Sequence, residues 1–452
     1  MVLSFLFASL CLSENLPLWP KTYHLRGKWQ IPYQKINIPF LVQTDLKKNR
    51  QSETSYENLL NEIHILGTGV YQLQVSSEVG PTCHLSPVDD PDDDELTEYL
   101  PTDNKQWKYK GTTVINGKEA KYWQYDYEGI DRWYNRFYVE KNTNTPLRYL
   151  MNGPSIRGSH ASVYIFDIED FGPELDESLF LVPNGCINST ESSGRRRRDL
   201  SRPRLPKGSN AETCPTYDQK VIQNLPESFS WRNVPYVLEY PHDQAVCGTC
   251  FAFGASEAIN GQFSLRANRS IITSVQQLVD CTWGTINYAC DGGEHDEIYR
   301  ILRESKMELT LEDEYPYLGV GSYCGKNFKH TVGYVKGCYK IPEHDNEKLK
   351  SALFEHGPLA VGIIADQDGF GTLTDNIYDN ANCYVHDKVK IDHSVLLTGW
   401  KRINGVDAWE IMNSWSDVWG DHGFGYIVMG DHDCGITEDV FFPIVHFEEK
   451  FY

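Results

Sequence analysis

The chain reads as an α+β protein in which an antiparallel β-rich, barrel-like N-terminal domain precedes a two-lobed domain made of a helical lobe and then a β lobe. Three observations predict this. Residues from about 20 to 182 alternate polar and apolar, a Ser-, Pro-, Gly- and Arg-rich stretch interrupts the chain near 200, and beyond about 220 apolar spacing follows first a helical and then a strand period. At 452 residues the chain is long for a single core, so two folded units joined by a linker are expected.

Residues 1–13, "MVLSFLFASLCLS", form a short apolar run ending in small residues and read as a secretory signal peptide. The β-rich domain is expected over 20–190. "KTYHLRGKWQIPY" and "VYQLQV" alternate, and Asn116-Gly117 in "GTTVINGKEAKYWQYDY" is a hairpin turn. "RWYNRFYVE", "TPLRYLMNG" and "ASVYIFDIEDF" continue the meander, which is expected to curl into a partial or closed barrel. Cys83 and Cys186 are the cysteines of this region and are expected to bridge. The acidic run "DDPDDDELTE" lacks the spaced ligands and turn glycine of a calcium loop and reads as solvated.

Residues 191–215 are polar and read as an exposed linker. Within it Arg195 to Arg198 precede Asp199, a run suited to a basic-specific processing protease, and cleavage after Arg198 is expected because exposed polar linkers are where nicking concentrates. The second domain is expected over 216–452. "CFAFGASEAINGQFSLRAN", "SVQQLVDC", "EIYRILRES" and "NEKLKSALFEHG" have helical spacing, whereas "PLAVGIIA", "SVLLTGW", "AWEIMNSW" and "GFGYIVM" are strand-like.

A formal charge of −21 argues against nucleic acid as a partner, since phosphates demand a basic face. No stretch after the leader reaches the 18 or so apolar residues of a membrane helix. A secreted or lysosomal/endosomal lumenal location is therefore expected, and the sequons at Asn188 and Asn268 fit that route. Loss of the leader removes Cys11 and leaves eleven of twelve cysteines. In an oxidising compartment an odd count implies one unpaired thiol, a candidate reactive group.

"DQAVCGTCFAFGA" sets Cys247 and Cys250 three apart at the start of a helix. Zinc would need four ligands, and no second pair lies at a suitable interval. A thioredoxin-like pair would need a preceding βαβ frame. The third reading, a nucleophile, uses more of the sequence: unpaired N–H groups at a helix N-terminus favour an anion and are expected to lower the pKa of Cys250.

"DQAVCGTCFAFGASEA", "SVQQLVDC", "CDGG", "DHSVLLTGW" and "MNSWSDVWG" occur in an order that resembles papain-family, cathepsin-like cysteine proteases over roughly residues 225–445. "DEYPYLGVGSYC" and the upstream "YHLRGKWQIPY" domain look more narrowly like the arthropod twenty-six/twenty-nine-kilodalton haemocyte proteinase and the counting-factor-associated cysteine proteases. The resemblance implies Cys250 as nucleophile, His393 as the base paired with it, Asn413 as the residue orienting the imidazole, and Gln244 as oxyanion donor. It places Trp415 as a shield over the Asn413–His393 bond, Gly292 and Gly293 against the substrate backbone, and Glu294, Gly362, Ile391, Ser394 and Asp439 around the pocket for the second residue before the scissile bond.

Asp439 at the base of that pocket suggests tolerance of Arg or Lys as well as apolar side chains. The resemblance also pairs Cys247 with Cys290, Cys281 with Cys324 and Cys383 with Cys434; it assigns no partner to Cys214 and Cys338, for which a bridge to each other is the reading and Cys214 to Cys186 the alternative. Phe251, Thr249 and Ser416 replace the family's usual Trp, Ser and Gly. The family's helical inhibitory prosegment has no counterpart in residues 1–215, so latency would fall to the β domain or the linker.

The expected activity is therefore that of an endopeptidase cutting protein or peptide substrates through a thioester acyl-enzyme, with no cofactor or metal. Its N-terminal domain is expected to be retained non-covalently or as an inhibitor. The rival readings are a catalytically inactive binding or adhesion protein on the same fold and a thiol-disulfide oxidoreductase.

Overall fold

A computed structural model describes residues 14–76, 80–88, 94–128, 132–157, 160–184, 186–188, 214–283, 286–325, 327–383 and 391–451. The leader, Arg198 and nearly all of the linker lie outside the described residues. The N-terminal half contains β1 (Thr22–Ile31), β2 (Ile36–Asp45), β3 (Arg50–Ser55), β4 (Leu60–Ile65), β5 (Gly69–Ser76), β6 (Gly80–Pro87), β7 (Lys108–Ile115), β8 (Lys118–Asp126), β9 (Tyr134–Glu140), β10 (Pro146–Pro154), β11 (Ala161–Gly172) and β12 (Ile187–Asn188).

These strands make one twelve-stranded sheet in the order β12-β6-β5-β4-β3-β2-β1-β11-β10-β9-β8-β7. The N-terminal domain is not a barrel, contrary to the sequence expectation, because β7 and β12 end the order without pairing with each other. Each edge is managed separately. Strand β7 exposes Lys108 and Lys110 and carries a bulge between Tyr109 and Gly111, both devices that discourage further strand addition. The other edge is covered by the two-residue parallel strand β12, tied by the Cys83–Cys186 disulfide to β6. What fills the interior is aromatic: Trp29 lies 6.0 Å from Phe40 and 5.8 Å from Phe166.

The second half contains β13 (Phe229–Ser230), α1 (Cys250–Ala267), α2 (Val275–Cys281), α3 (His295–Ser305), β14 (Glu308–Thr310), β15 (His330–Lys340), α4 (Asn346–His356), β16 (Leu359–Ile363), β17 (Ile377–Tyr378), β18 (His393–Ile403), β19 (Val406–Met412), β20 (Phe424–Val428) and β21 (Val440–Phe451). A helical lobe of α1 to α3 thus precedes a sheet ordered β14-β15-β21-β16-β18-β19-β20-β17, with β13 added on β18. Helix α1 is buried on almost every face, which suits its run of apolar and small residues. A Cβ on Gly254 would come within 2.6 Å of Ser394 Oγ, so the absent side chain lets α1 lie directly on β18. This contact sets the first residue of α1 near the first residue of β18.

The two halves share one buried apolar cluster that runs from Trp29, Phe40 and Phe166 to Ala245, Phe253 and Tyr317. Polar contacts reinforce it. The Tyr56 hydroxyl donates to the Leu318 carbonyl at 3.0 Å, and Tyr33 meets Tyr240 edge-on at 5.8 Å. Disulfides join Cys214–Cys338, Cys247–Cys290, Cys281–Cys324 and Cys383–Cys434. Among the described residues no helix is long and apolar enough to cross a membrane.

Candidate active site

Cys250 is the free cysteine among the described residues, and it opens α1. His393 opens β18 and Asn413 directly follows β19, so adjacent strands hold the two side chains together. Asn413 Oδ1 accepts from the Ser414 N–H at 2.8 Å and lies 2.8 Å from His393 Nε2. An oxygen that already serves as acceptor requires Nε2 to carry the proton. The neutral ring then presents a basic Nδ1, which is buried and has no hydrogen-bond partner among the described residues. Trp415 stacks on His393 at 4.8 Å and 29°, keeping water from that bond.

Gln244 is held from three sides. Its Nε2 donates to the Cys247 carbonyl at 3.1 Å, its Oε1 accepts from Ser414 Oγ at 2.7 Å, and its N–H donates to the Ser414 carbonyl at 2.9 Å. One amide hydrogen remains beyond the Cys247 bond. Tyr317 supports the same turn, donating to the Gln244 carbonyl at 2.9 Å while its hydroxyl lies 2.6 Å from Thr249 Oγ1. Thr249 therefore serves as a hydroxyl partner one residue before Cys250.

Burial reverses the direction expected for the thiol. Cys250 is 7% exposed, and desolvation pushes its pKa up to about 12, although backbone hydrogen bonds from Ser394 and Phe251 pull it down. His393 is 3% exposed, and desolvation pushes it down to about 4 against the opposing bond to Asn413. A helix terminus is worth at most about 2 kcal/mol, so burial outweighs it in setting the direction of the Cys250 shift.

Several of the residues that the resemblance assigns to substrate contact lie close to one another. A Cβ on Gly293 would sit 2.7 Å from Phe251 Cε2, and Gly292 turns there with φ 99°. Gly362 pairs with Ser394 across β16 and β18, and a Cβ on it would meet Asp439 Oδ2 at 2.7 Å and Ile391 Cγ2 at 2.8 Å. Ser394 Oγ lies 3.2 Å from His295 Nδ1. Glu294 occupies the N-cap position of α3 without a side-chain capping bond, and its charge is a minor cause of the raised Cys250 pKa. Of the sequons, Asn268 is exposed and left-handed at the end of α1, its side chain accepting from the Tyr236 hydroxyl, and Asn188 ends β12.

Sequence reasoning passed over Tyr317, Ser414, Asp243 and His160. Tyr317 lay inside "DEYPYLG" and Ser414 beside Asn413, so adjacency was their signal. His160 comes from the other half of the chain and had none.

A lone thiol, an imidazole with its tautomer set by an amide, and an amide donor beside the thiol are the parts that acyl transfer through a thioester requires. Comparison with known proteins agrees with that class. The model for papain family cysteine proteases matches residues 225–444. The chain is 34% identical over 235 residues to cathepsin L of Sarcophaga peregrina, covering 51% of this chain and 67% of that protein. It is 31% identical over 284 residues to a cathepsin L-like peptidase of Aedes aegypti (62% and 79%), and 30% identical over 241 residues to cathepsin K of Mus musculus (53% and 71%). The chain belongs to the papain family of cysteine proteases and is a cysteine endopeptidase of the cathepsin type. The N-terminal sheet lies outside the matched family region.

Proposed function

We propose that Cys250, His393, Asn413 and Gln244 carry the hydrolysis, and the observation that carries this reading is the Nε2-protonated His393 held by Asn413 in the same buried site as the free thiol. As substrate arrives, the Cys250 proton passes to His393 Nδ1 and the sulfur attacks the scissile carbonyl carbon. The Cys250 N–H and the remaining Gln244 amide hydrogen receive the oxyanion. Collapse expels the amine, which takes the proton from His393 and leaves a thioester. Water, deprotonated by His393, then releases the acid. Asn413 and Trp415 keep the ring in one orientation throughout.

An active-site-directed epoxide tests this: one equivalent on Cys250, lost in Cys250→Ser, is expected, and labelling elsewhere or none would sink it.

In the same reading the acyl side of the substrate lies along Gly292 and Gly293, and its second residue enters the pocket of Glu294, Gly362, Ile391, Ser394 and Asp439. With a carboxylate at its base that pocket accepts Arg or Lys as well as apolar side chains. Asp439→Ala is expected to lower the Arg-to-Phe preference there by about tenfold, and an unchanged ratio would remove the assignment.

The chain is further read as a secreted or lysosomal precursor with leader 1–13, β domain 20–190, linker 191–215 and catalytic domain 216–452, cut after Arg198. Its combination of β domain and protease supports the narrower reading of a protease similar to the haemocyte twenty-six/twenty-nine-kilodalton and counting-factor-associated proteases. Among the described residues no disulfide joins the halves, so the β domain would stay on non-covalently, through the shared apolar cluster. Activity on either side of Arg198 cleavage tells whether it also inhibits.

A further inference from the structure

Resting on that reading, we propose that His160 of the N-terminal sheet is a positioning residue of the peptidase site, holding both the turn that carries Gln244 and the indole that stacks on His393. His160 immediately precedes β11, which lies between β1 and β10 in the middle of the sheet, so a rigid element delivers it. Its side chain is fully buried. Nε2 lies 3.1 Å from Asp243 Oδ1 and 3.0 Å from the Tyr164 hydroxyl, and the ring stacks on Trp415 at 5.5 Å and 7°.

Asp243, the neighbour of Gln244, is buried to 0% exposure. Its carboxylate accepts from the Ala245 N–H at 2.8 Å, from Ser162 Oγ and from His160, while its own N–H donates to Gln34 Oε1 at 3.0 Å. Three of these four partners belong to the N-terminal half. Ala245 follows Gln244 with φ 59°, a left-handed conformation that an alanine holds only where its surroundings impose it. The Asp243 carboxylate is what grips that peptide, and His160 and Ser162 grip the carboxylate.

The same segment bridges to Trp415 through an antiparallel pair with Asp243, so one imidazole braces both walls of the site. Among the described residues no hydrogen bond from the N-terminal half reaches Cys250, His393, Asn413 or the Gln244 side chain. The contact is therefore made to the supports of the machinery, which is where a brace belongs and where a plug gains nothing.

The test uses the full chain, processed or not, carrying His160→Ala, His160→Gln, which keeps a donor toward Asp243, or His160→Phe, which keeps the ring over Trp415. Hydrolysis is normalised to epoxide-titrated Cys250, and hydrogen exchange is followed at the amides of Gln244 to Cys247. His160→Ala is expected to lower kcat about tenfold or more with KM within about threefold, and to speed exchange in the turn, with Gln and Phe each restoring part. If His160→Ala does not fold, the other two variants decide the matter by the same measures. Unchanged kcat and exchange in a folded variant overturn the proposal, and so does a rise in kcat/KM, which would mark the domain as a plug. A chain in which Cys250 takes no label and nothing is hydrolysed would instead defeat the peptidase roles, while exchange in the turn would still judge His160.

Discussion

Asp170 and Glu177 in the N-terminal half are held below the usual carboxylate range because Arg26 and Arg50 bond to them, whereas in the C-terminal half Asp280 is pushed up to about 6 and both Glu239 and Asp392 to about 7, each chiefly by burial. The first pair are paired charges at the surface. The second group are acids taken out of water, near the oxyanion turn, on α2 and beside His393. The sheet is built around aromatic packing with one disulfide at its edge, while the C-terminal half has four disulfides and tolerates buried carboxyls. Two mainly antiparallel sheets in one chain thus solve different problems: one packs its aromatic side chains into a core shared with the other half, the other must keep a reactive thiol dry.

The largest effect that would break this contrast is chemical. Cys250→Ala is expected to cut kcat by about ten-thousand-fold or more while both halves stay folded, measured by peptide hydrolysis and near-ultraviolet circular dichroism. Gln244→Ala is expected to cost about a hundredfold in kcat with KM little changed, since the lost donor acts on the oxyanion and not on bound substrate. A proportional rise in KM would move Gln244 to ground-state binding.

Replacing Cys83 and Cys186 together by Ser is expected to remove about 2–4 kcal/mol from the N-terminal sheet, because the bridge closes a separation of 103 residues. Denaturant unfolding should show the sheet melting first while epoxide labelling of Cys250 persists, and simultaneous loss would mean that the halves unfold as one.

The smallest expected effect is on pH dependence. A carboxyl whose folded pKa lies above its unfolded value contributes stability that is complete at low pH and fades as pH rises through the folded value. For Asp280, Glu239 and Asp392 that fading spans about pH 4 to 7. His393, depressed to about 4, works the other way and costs stability as pH falls from 6.5 toward 4. Three carboxyls, together with His242, which Glu257 and Glu239 hold up at about 9 against desolvation, outweigh the His393 imidazole, so the melting temperature is expected to be higher at pH 5.5 than at pH 7.5, and Asp392→Asn to flatten the difference by raising the neutral value. A steeper slope in that variant would contradict the assignment.

Periodicity made the helical lobe, the β lobe and the N-terminal meander legible, because α3 and strands such as β1 each have one spacing. Closure was not legible. Hairpins report which strands are neighbours, but whether β7 meets β12 depends on twist accumulated across ten intervening strands and on what fills the interior, here Trp29, Phe40 and Phe166. Cys250, His393 and Asn413 stood out because each lies in a segment with few alternative uses. The direction of the Cys250 shift did not, since a helix terminus is visible in sequence and the depth of burial is not. His160 precedes an ordinary β segment, and only its position against Asp243 and Trp415 gives it meaning.

No disulfide among the described residues crosses from the sheet to the C-terminal half. Were the linker cut, a contact held at the high effective concentration of a tether would become an ordinary equilibrium between two molecules. Dilution then competes with the shared apolar surface, and a two-chain form of this protease would carry in its own abundance a setting for how long its parts remain together.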